Sequence, residues 1–103
     1  MTLEQLEQII AARAVADPSQ SWTAKLLAKG PEKAAEKFGE EAIEAVIEAV
    51  KNDPERLTSE AADVLFHLLV MLHARGVKIA DVMEELARRQ TQSGLQEKAS
   101  RPE

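Results

Sequence analysis

The sequence predicts an all-α protein built as a bundle of four to five helices. Three observations predict it. Ala, Glu, Leu and Lys, which favour helix, dominate the 103 residues, and Trp22, Phe38 and Phe66 are the only Trp, Tyr or Phe side chains. Apolar residues recur three and four positions apart, the period of an amphipathic helix, and no run alternates as a half-buried strand would. Cap residues, glycines and prolines punctuate the chain at helix-length intervals. The length suits one small domain. Residues 1–91 carry the helical pattern, and the polar residues 92–103 read as a partly ordered tail.

Thr2 can cap the first helix, in which Leu3, Leu6, Ile9, Ile10 and Arg13 follow at helical spacing, with an Ala-rich continuation to about Ala16. Asp17-Pro18 breaks it. Ser21 caps a short helix, Trp22 to Lys29, that stops at Gly30. Pro31 suits the first turn of a third helix, which runs to about Lys51. Asn52-Asp53-Pro54 forms a turn, and Asp53 caps a fourth helix from Pro54 to Arg75 that ends at Gly76. A fifth spans roughly Lys78 to Thr91, with Asp81 in its first turns and Arg88 and Arg89 near its end, as the helix dipole favours.

The two long helices differ in character. In the third, Ala35, Phe38, Ala42, Val46 and Ala49 form an apolar face, and Lys37, Glu41, Glu44 and Glu48 line a stripe beside it. The fourth is apolar almost all round from Val64 to Leu72, a pattern that predicts burial on every side. A chain this short struggles to surround such a helix alone. The expected partner is therefore a second copy, with helices packed across a homo-oligomer interface, most simply a two-fold dimer.

Composition excludes several classes. A net charge of −5 argues against nucleic-acid binding by bulk electrostatics. The absence of cysteine removes disulfides, zinc–thiolate sites and thiol chemistry. The first ten residues, MTLEQLEQII, are acidic and amphipathic, unlike a signal peptide, and no apolar stretch is expected to reach the length of a membrane span. The expected location is the cytoplasm.

Four carboxylates stand out as two helical pairs, Glu41/Glu44 and Glu60/Asp63, with fifteen residues between them. Each pair is spaced i, i+3 and lands on one face of its helix. Two antiparallel helices would bring the four acids together, and crowded carboxylates repel unless a cation neutralises them. Hard oxygen ligands point to Mg²⁺, and through it to a phosphate substrate. Glu60 and Asp63 also abut the apolar run, where unpaired charge is costly. Glu40 points about 100° away from Glu41, better suited to a supporting or base role than to ligation. An isolated EExxE is usually a solvated helix face, and ExxD can be a salt-bridged helix start. The two in order on consecutive helices are far more specific.

Other residues carry two readings each. His67 lies one turn after Asp63, yet a core histidine bonded to a neighbouring helix is the commoner case. His73 sits near a helix end, where a cation is favourable anyway. Trp22 can stack on a base or simply pack. Lys25, Lys29, Lys33 and Lys37 recur every four positions, although Gly30-Pro31 interrupts the helix, so a single stripe does not follow. They either balance surface charge or grip phosphates, and Arg88, Arg89, Lys98 and Arg101 raise the same choice.

The order EExxE then ExxD resembles the all-α MazG-type nucleoside triphosphate pyrophosphohydrolases. SWTAKLLAKGPEKAAEKFGEEAIEAVIEAV, EAADVLFHLLVMLHARGV and SGLQEKASR, three ordered blocks along nearly the whole chain, are similar to the phosphoribosyl-ATP pyrophosphohydrolase family of histidine biosynthesis. The resemblance implies hydrolysis of phosphoribosyl-ATP to phosphoribosyl-AMP and pyrophosphate. It implies Glu41, Glu44, Glu60 and Asp63 as Mg²⁺ ligands, with Glu40 in the motif, and a dimer or larger assembly. The general base stays open among Glu40, Glu41 and Glu44. Lys25, Lys29, Lys37, Arg88 and Arg89 are the candidates for holding substrate phosphates. The nearest rival is a house-cleaning pyrophosphohydrolase of non-standard nucleoside triphosphates. A non-catalytic helical oligomerisation module is a second, and a di-iron four-helix protein fits poorly because Glu-x-x-His pairs are absent.

Overall fold

The computed structural model describes residues 1–91 together with Gly94, Lys98, Ala99 and Arg101. Among the described residues, five continuous helices follow in order: α1 (Leu3–Ala14), α2 (Trp22–Ala28), α3 (Pro31–Lys51), α4 (Pro54–Ala74) and α5 (Ile79–Arg89). There is no strand among the described residues.

Local chemistry sets the boundaries. Thr2 and Gln5 form a reciprocal capping box, with the Gln5 N–H donating to Thr2 Oγ1 at 3.1 Å and the Thr2 N–H donating to Gln5 Oε1 at 2.8 Å. α1 stops at Ala14, two residues short of the expected end, because Asp17 folds the chain into a turn. Its side chain accepts the Ser19 N–H at 2.9 Å and its carbonyl accepts the Gln20 N–H at 2.8 Å. Ser21 caps α2 by accepting the Ala24 N–H and donates to the Arg13 carbonyl, each at 3.1 Å. One hydroxyl thereby starts α2 and ties it to the end of α1. Asn52, left-handed at φ 59°, closes α3, and Asp53 caps α4 by accepting the Arg56 N–H at 3.1 Å.

α3 and α4, each 21 residues, are joined by only Asn52 and Asp53, so they fold back antiparallel and pack along their length. α1 packs against α4, and α2 touches α1, α3 and α4. The core gathers Ile10, Leu26, Ala34, Leu69, Val70 and Ile79, with Leu3, Leu6, Leu27, Phe66, Leu72, Ala74 and Val82 packed around it. α5 docks on α1 through Ile79 and through a longer-range tie. The Ile79 N–H donates to Glu7 Oε2 at 2.8 Å, so a carboxylate of α1 satisfies a donor at the start of α5, where Lys78 gives no side-chain cap.

The single chain leaves much apolar surface uncovered. Ile43, Val46, Ile47 and Val50 of α3 are exposed, and so is Leu65 of α4. Of the face expected on α3, Ala35 and Ala49 are exposed as well, while Phe38 and Ala42 are half-buried. The expectation that α4 is buried on every side is thus not met within one chain. A second expectation needs correcting. α4 is long and apolar enough, by length and composition, to cross a membrane, with a stretch of mean hydropathy 1.3. The run from Val64 to Leu72 outweighs the two acids before it. The central helix of a helical bundle has the same composition. The SGLQEKASR block lies outside the described residues except for Gly94, Lys98, Ala99 and Arg101.

Candidate metal centre and lysine cleft

The buried residues of α3 are Ala34, Glu41 and Glu48, seven apart and therefore on one face of the helix. The side of α3 turned into the protein carries two carboxylates, each only 7% exposed. Across the hairpin stand Glu60, half-buried, and Asp63, exposed. Carboxylate oxygens of Glu41, Glu60 and Asp63 lie within 4.8 Å of one another. Glu44, one turn along α3, is outside this three-way group but interacts with two of its members. The Glu41 charge, a hydrogen bond with Glu60 and the Glu60 charge raise its proton affinity above the usual carboxylate range.

The donor set fits a divalent cation. Glu60 Oε2 is buried with no hydrogen-bond partner, an acceptor with nothing to accept from. The raised proton affinity of Glu44 is the mark of negative charge in excess. Glu41, Glu60 and Asp63 could hold a hard cation through oxygen alone, with Glu44 within reach of the same charge. Glu48 is set apart: one of its oxygens pairs with Lys51 at 3.3 Å and the other is buried without a partner.

Lys37 borders both this cluster and a second feature. Its Nζ lies 3.2 Å from Glu41 Oε1 and 3.7 Å from Glu40 Oε2. The bond to Glu41 holds its ammonium above the usual lysine range, against an opposing effect of burial. Lys37 and Glu40 also line a cleft of about 310 Å³ with Trp22, Lys25, Leu26, Lys29 and Lys33. Four lysines against one acid make it cationic in a chain of net charge −5. The four-residue recurrence thus converges on one cleft despite the break at Gly30-Pro31. Gly30 makes this possible with φ 101°, a conformation open to glycine, and reverses the chain so that α2 and the start of α3 face each other.

His67 is 5% exposed, with its ring edge-on to Trp22 at 5.3 Å and to Phe66 at 5.4 Å. It is a core histidine, but its Nδ1 has no hydrogen-bond partner, so the expected bond to a neighbouring helix is absent at that atom. Burial holds the imidazole below its usual value, with the Glu41 and Asp63 charges pulling the other way. Arg88 and Arg89 lie on α5 and both pair with Glu85, in part through a two-oxygen grip by Arg88; neither lines the lysine cleft. That grip pushes the Glu85 carboxyl down to about 2. Lys98 and Arg101 are exposed. Trp22 and Lys33 carried functional readings in the sequence, whereas Leu26, an apolar residue of α2 that also lines the cleft, carried none.

Comparison with known proteins agrees with this architecture. The profile of the phosphoribosyl-ATP pyrophosphohydrolase family matches residues 3–90. A phosphoribosyl-ATP pyrophosphatase of Dinoroseobacter shibae is 71% identical over 96% of this chain and 97% of its own length. Namesakes from Paracoccus denitrificans and Ruegeria pomeroyi are each 68% identical, over 96% and 97% of this chain and 92% and 95% of their own lengths. With a family profile spanning its five helices and near full-length relatives at this identity, the chain belongs to the phosphoribosyl-ATP pyrophosphohydrolase family.

Proposed function

We propose that this protein hydrolyses phosphoribosyl-ATP to phosphoribosyl-AMP and pyrophosphate, the second step of histidine biosynthesis, with Mg²⁺ held between α3 and α4. The observation that carries the reading is the convergence of Glu41, Glu60 and Asp63 within 4.8 Å beside a cleft lined by four lysines. Anion-repelling acids and anion-binding lysines side by side make sense for a triphosphate that arrives with, or meets, a cation.

Glu41, Glu60 and Asp63, joined by Glu44, are the ligands in this reading. When bound, Mg²⁺ supplies charge neutralisation and polarises the phosphoryl oxygens. The chain's own residues do the rest. Lys37, touching Glu41 and facing the cleft, orients the phosphates and offsets charge on the departing pyrophosphate. Lys25 and Lys29 carry positive charge further along the cleft, clear of the carboxylate group. Glu40 stands outside the carboxylate group and faces the cleft, so it can take the proton of the attacking water without giving up a ligand. Glu41 and Glu44 are the alternative proton acceptors. Arg88 and Arg89 stay candidates for phosphate contact, paired with Glu85 on α5 and outside the lysine cleft.

The assembly is inferred to be a two-fold homodimer. The exposed strip of Ile43, Val46, Ile47 and Val50 on α3 supports it, since a second copy would bury that strip. Residues 1–91 would form the catalytic domain and residues 92–103 a tail, and the cytoplasm is the location that suits a nucleotide substrate. The test is pyrophosphate release from phosphoribosyl-ATP, ATP and dUTP, with and without Mg²⁺. Turnover of phosphoribosyl-ATP alone, and only with Mg²⁺, is expected. Preference for dUTP or other free nucleotides would favour the house-cleaning reading instead.

A further inference from the structure

Lys37 alone among the four cleft lysines touches the carboxylate group. Lys25, Lys29 and Lys33 extend the positive charge away from it, along α2 and onto the start of α3. Lys25 and Lys29 have no acidic partner among the described residues, and Lys33 holds only an exposed pair with Glu36 at 3.1 Å. Such a pair exchanges readily for a better anion. Lys37 stands beside the acids that would hold a cation and its polyphosphate. The three further lysines leave cationic charge for a further anion.

The substrate has one. Phosphoribosyl-ATP carries, besides its triphosphate, a phosphate monoester on the second ribose, with a charge of roughly −1.5 to −2 at neutral pH. A dianion of this kind is well met by two or three ammonium groups. We propose that Lys25, Lys29 and Lys33 form a distal subsite for that monoester, with Trp22 as the apolar wall beside it. This rests on the assignment of phosphoribosyl-ATP as substrate and deepens it: the subsite is what separates that substrate from ATP, which has a triphosphate but no second phosphate. Trp22 is 53% exposed, with its ring edge-on to buried His67, so one side of the wall packs on the core while the other is open to the cleft. Binding energy from a remote, non-reacting phosphate is a means by which an enzyme selects one nucleotide over another.

Trp22 is the only tryptophan, so its fluorescence reports on this cleft without a label. The experiment titrates the native protein with ribose 5-phosphate and, separately, with inorganic pyrophosphate in the presence of Mg²⁺. It is repeated on Lys29→Gln and on Lys29→Gln/Lys33→Gln, with helical circular dichroism confirming the fold. Ribose 5-phosphate should change the Trp22 emission without Mg²⁺, and its affinity should fall about tenfold for each lysine removed, the size of one charged hydrogen bond. Pyrophosphate affinity should move by less than about twofold, against that same yardstick. In turnover, KM for phosphoribosyl-ATP should rise with the first result while kcat holds, as for binding shared by ground and transition states. The proposal is overturned if pyrophosphate loses affinity and ribose 5-phosphate does not, or if neither changes. Ribose 5-phosphate binding is scored separately from turnover, so failure to release pyrophosphate from phosphoribosyl-ATP would overturn the functional reading on its own.

Discussion

Replacing Glu60 by glutamine should make the metal-free protein more stable while removing its response to Mg²⁺. An oxygen of Glu60 lies within 4.8 Å of one on Glu41 and one on Asp63. At that distance a pair of like charges repels by about 1 kcal/mol in a water-like dielectric and about 3.5 kcal/mol at an effective constant of about 20. Asp63 is exposed and Glu60 only half-buried, so the lower figure applies to most of the pairing. Two pairs then give about 2 kcal/mol relieved on losing the charge. Glutamine keeps the shape and adds an N–H₂ that can donate to Glu41 or Glu44. A domain of this size gains roughly 4–8 °C in midpoint per kcal/mol, so the variant should melt about 8 °C or more above the parent in chelator. In Mg²⁺ at about 100 times its Kd, the parent should gain about 2.7 kcal/mol by mass action and the variant little. Thermal unfolding at fixed protein concentration, with and without Mg²⁺, reads both effects. A variant that melts below the parent in chelator, or that Mg²⁺ stabilises equally, would refute the shared-cation geometry.

Three further predictions address the fold and assembly. Ser21→Ala removes both the α2 cap and the bond to the Arg13 carbonyl, and should cost about 1–2 kcal/mol in chemical denaturation; an unchanged midpoint would show that neither bond matters. Val46→Glu puts a charge in the middle of the exposed α3 strip and should shift the sedimenting mass from dimer to single chain with helicity kept, whereas an intact dimer would place the interface elsewhere. His67 should make stability depend on pH. Its folded pKa is depressed by burial from 6.5, so below about 6.5 the unfolded chain binds the extra proton first, and stability is full above that pH and declines as pH falls toward the folded value. The decline should be smaller in His67→Asn, and an identical pH profile in the two proteins would contradict the assignment.

Much of the fold was readable because its determinants are local. Thr2, Ser21, Pro31, Asp53 and Pro54 act within one turn, and the helix ends fall within two residues of those the sequence predicts. The i, i+3 spacing of the acids was likewise local, and one two-residue turn was enough to oppose them. What could not be read depends on packing between distant segments. Nothing in the sequence pairs Glu7 with the Ile79 N–H, 72 residues away. The convergence of Lys25 and Lys29 with Lys33 and Lys37 depends on the backbone path at Gly30, whereas linear spacing showed only an interrupted stripe. Glu44 shares the spacing of Glu41 yet stays outside the group of three acids, a difference that spacing does not encode. α4 reads as buried all round from its apolar run, yet within the chain only His67, Leu69 and Val70 of this helix are fully buried, a division that composition does not specify.

The central claim is that acids from α3 and α4 hold one divalent ion that in turn presents the substrate's phosphates. The direct measurement is the rate of pyrophosphate release from phosphoribosyl-ATP by the parent and by Asp63→Asn across a Mg²⁺ titration, with helicity and oligomeric mass checked in parallel. The account predicts saturable Mg²⁺ dependence in the parent and no recovery in a folded Asp63→Asn protein at any Mg²⁺ concentration. Near-parental rates in that variant at high Mg²⁺ would contradict it.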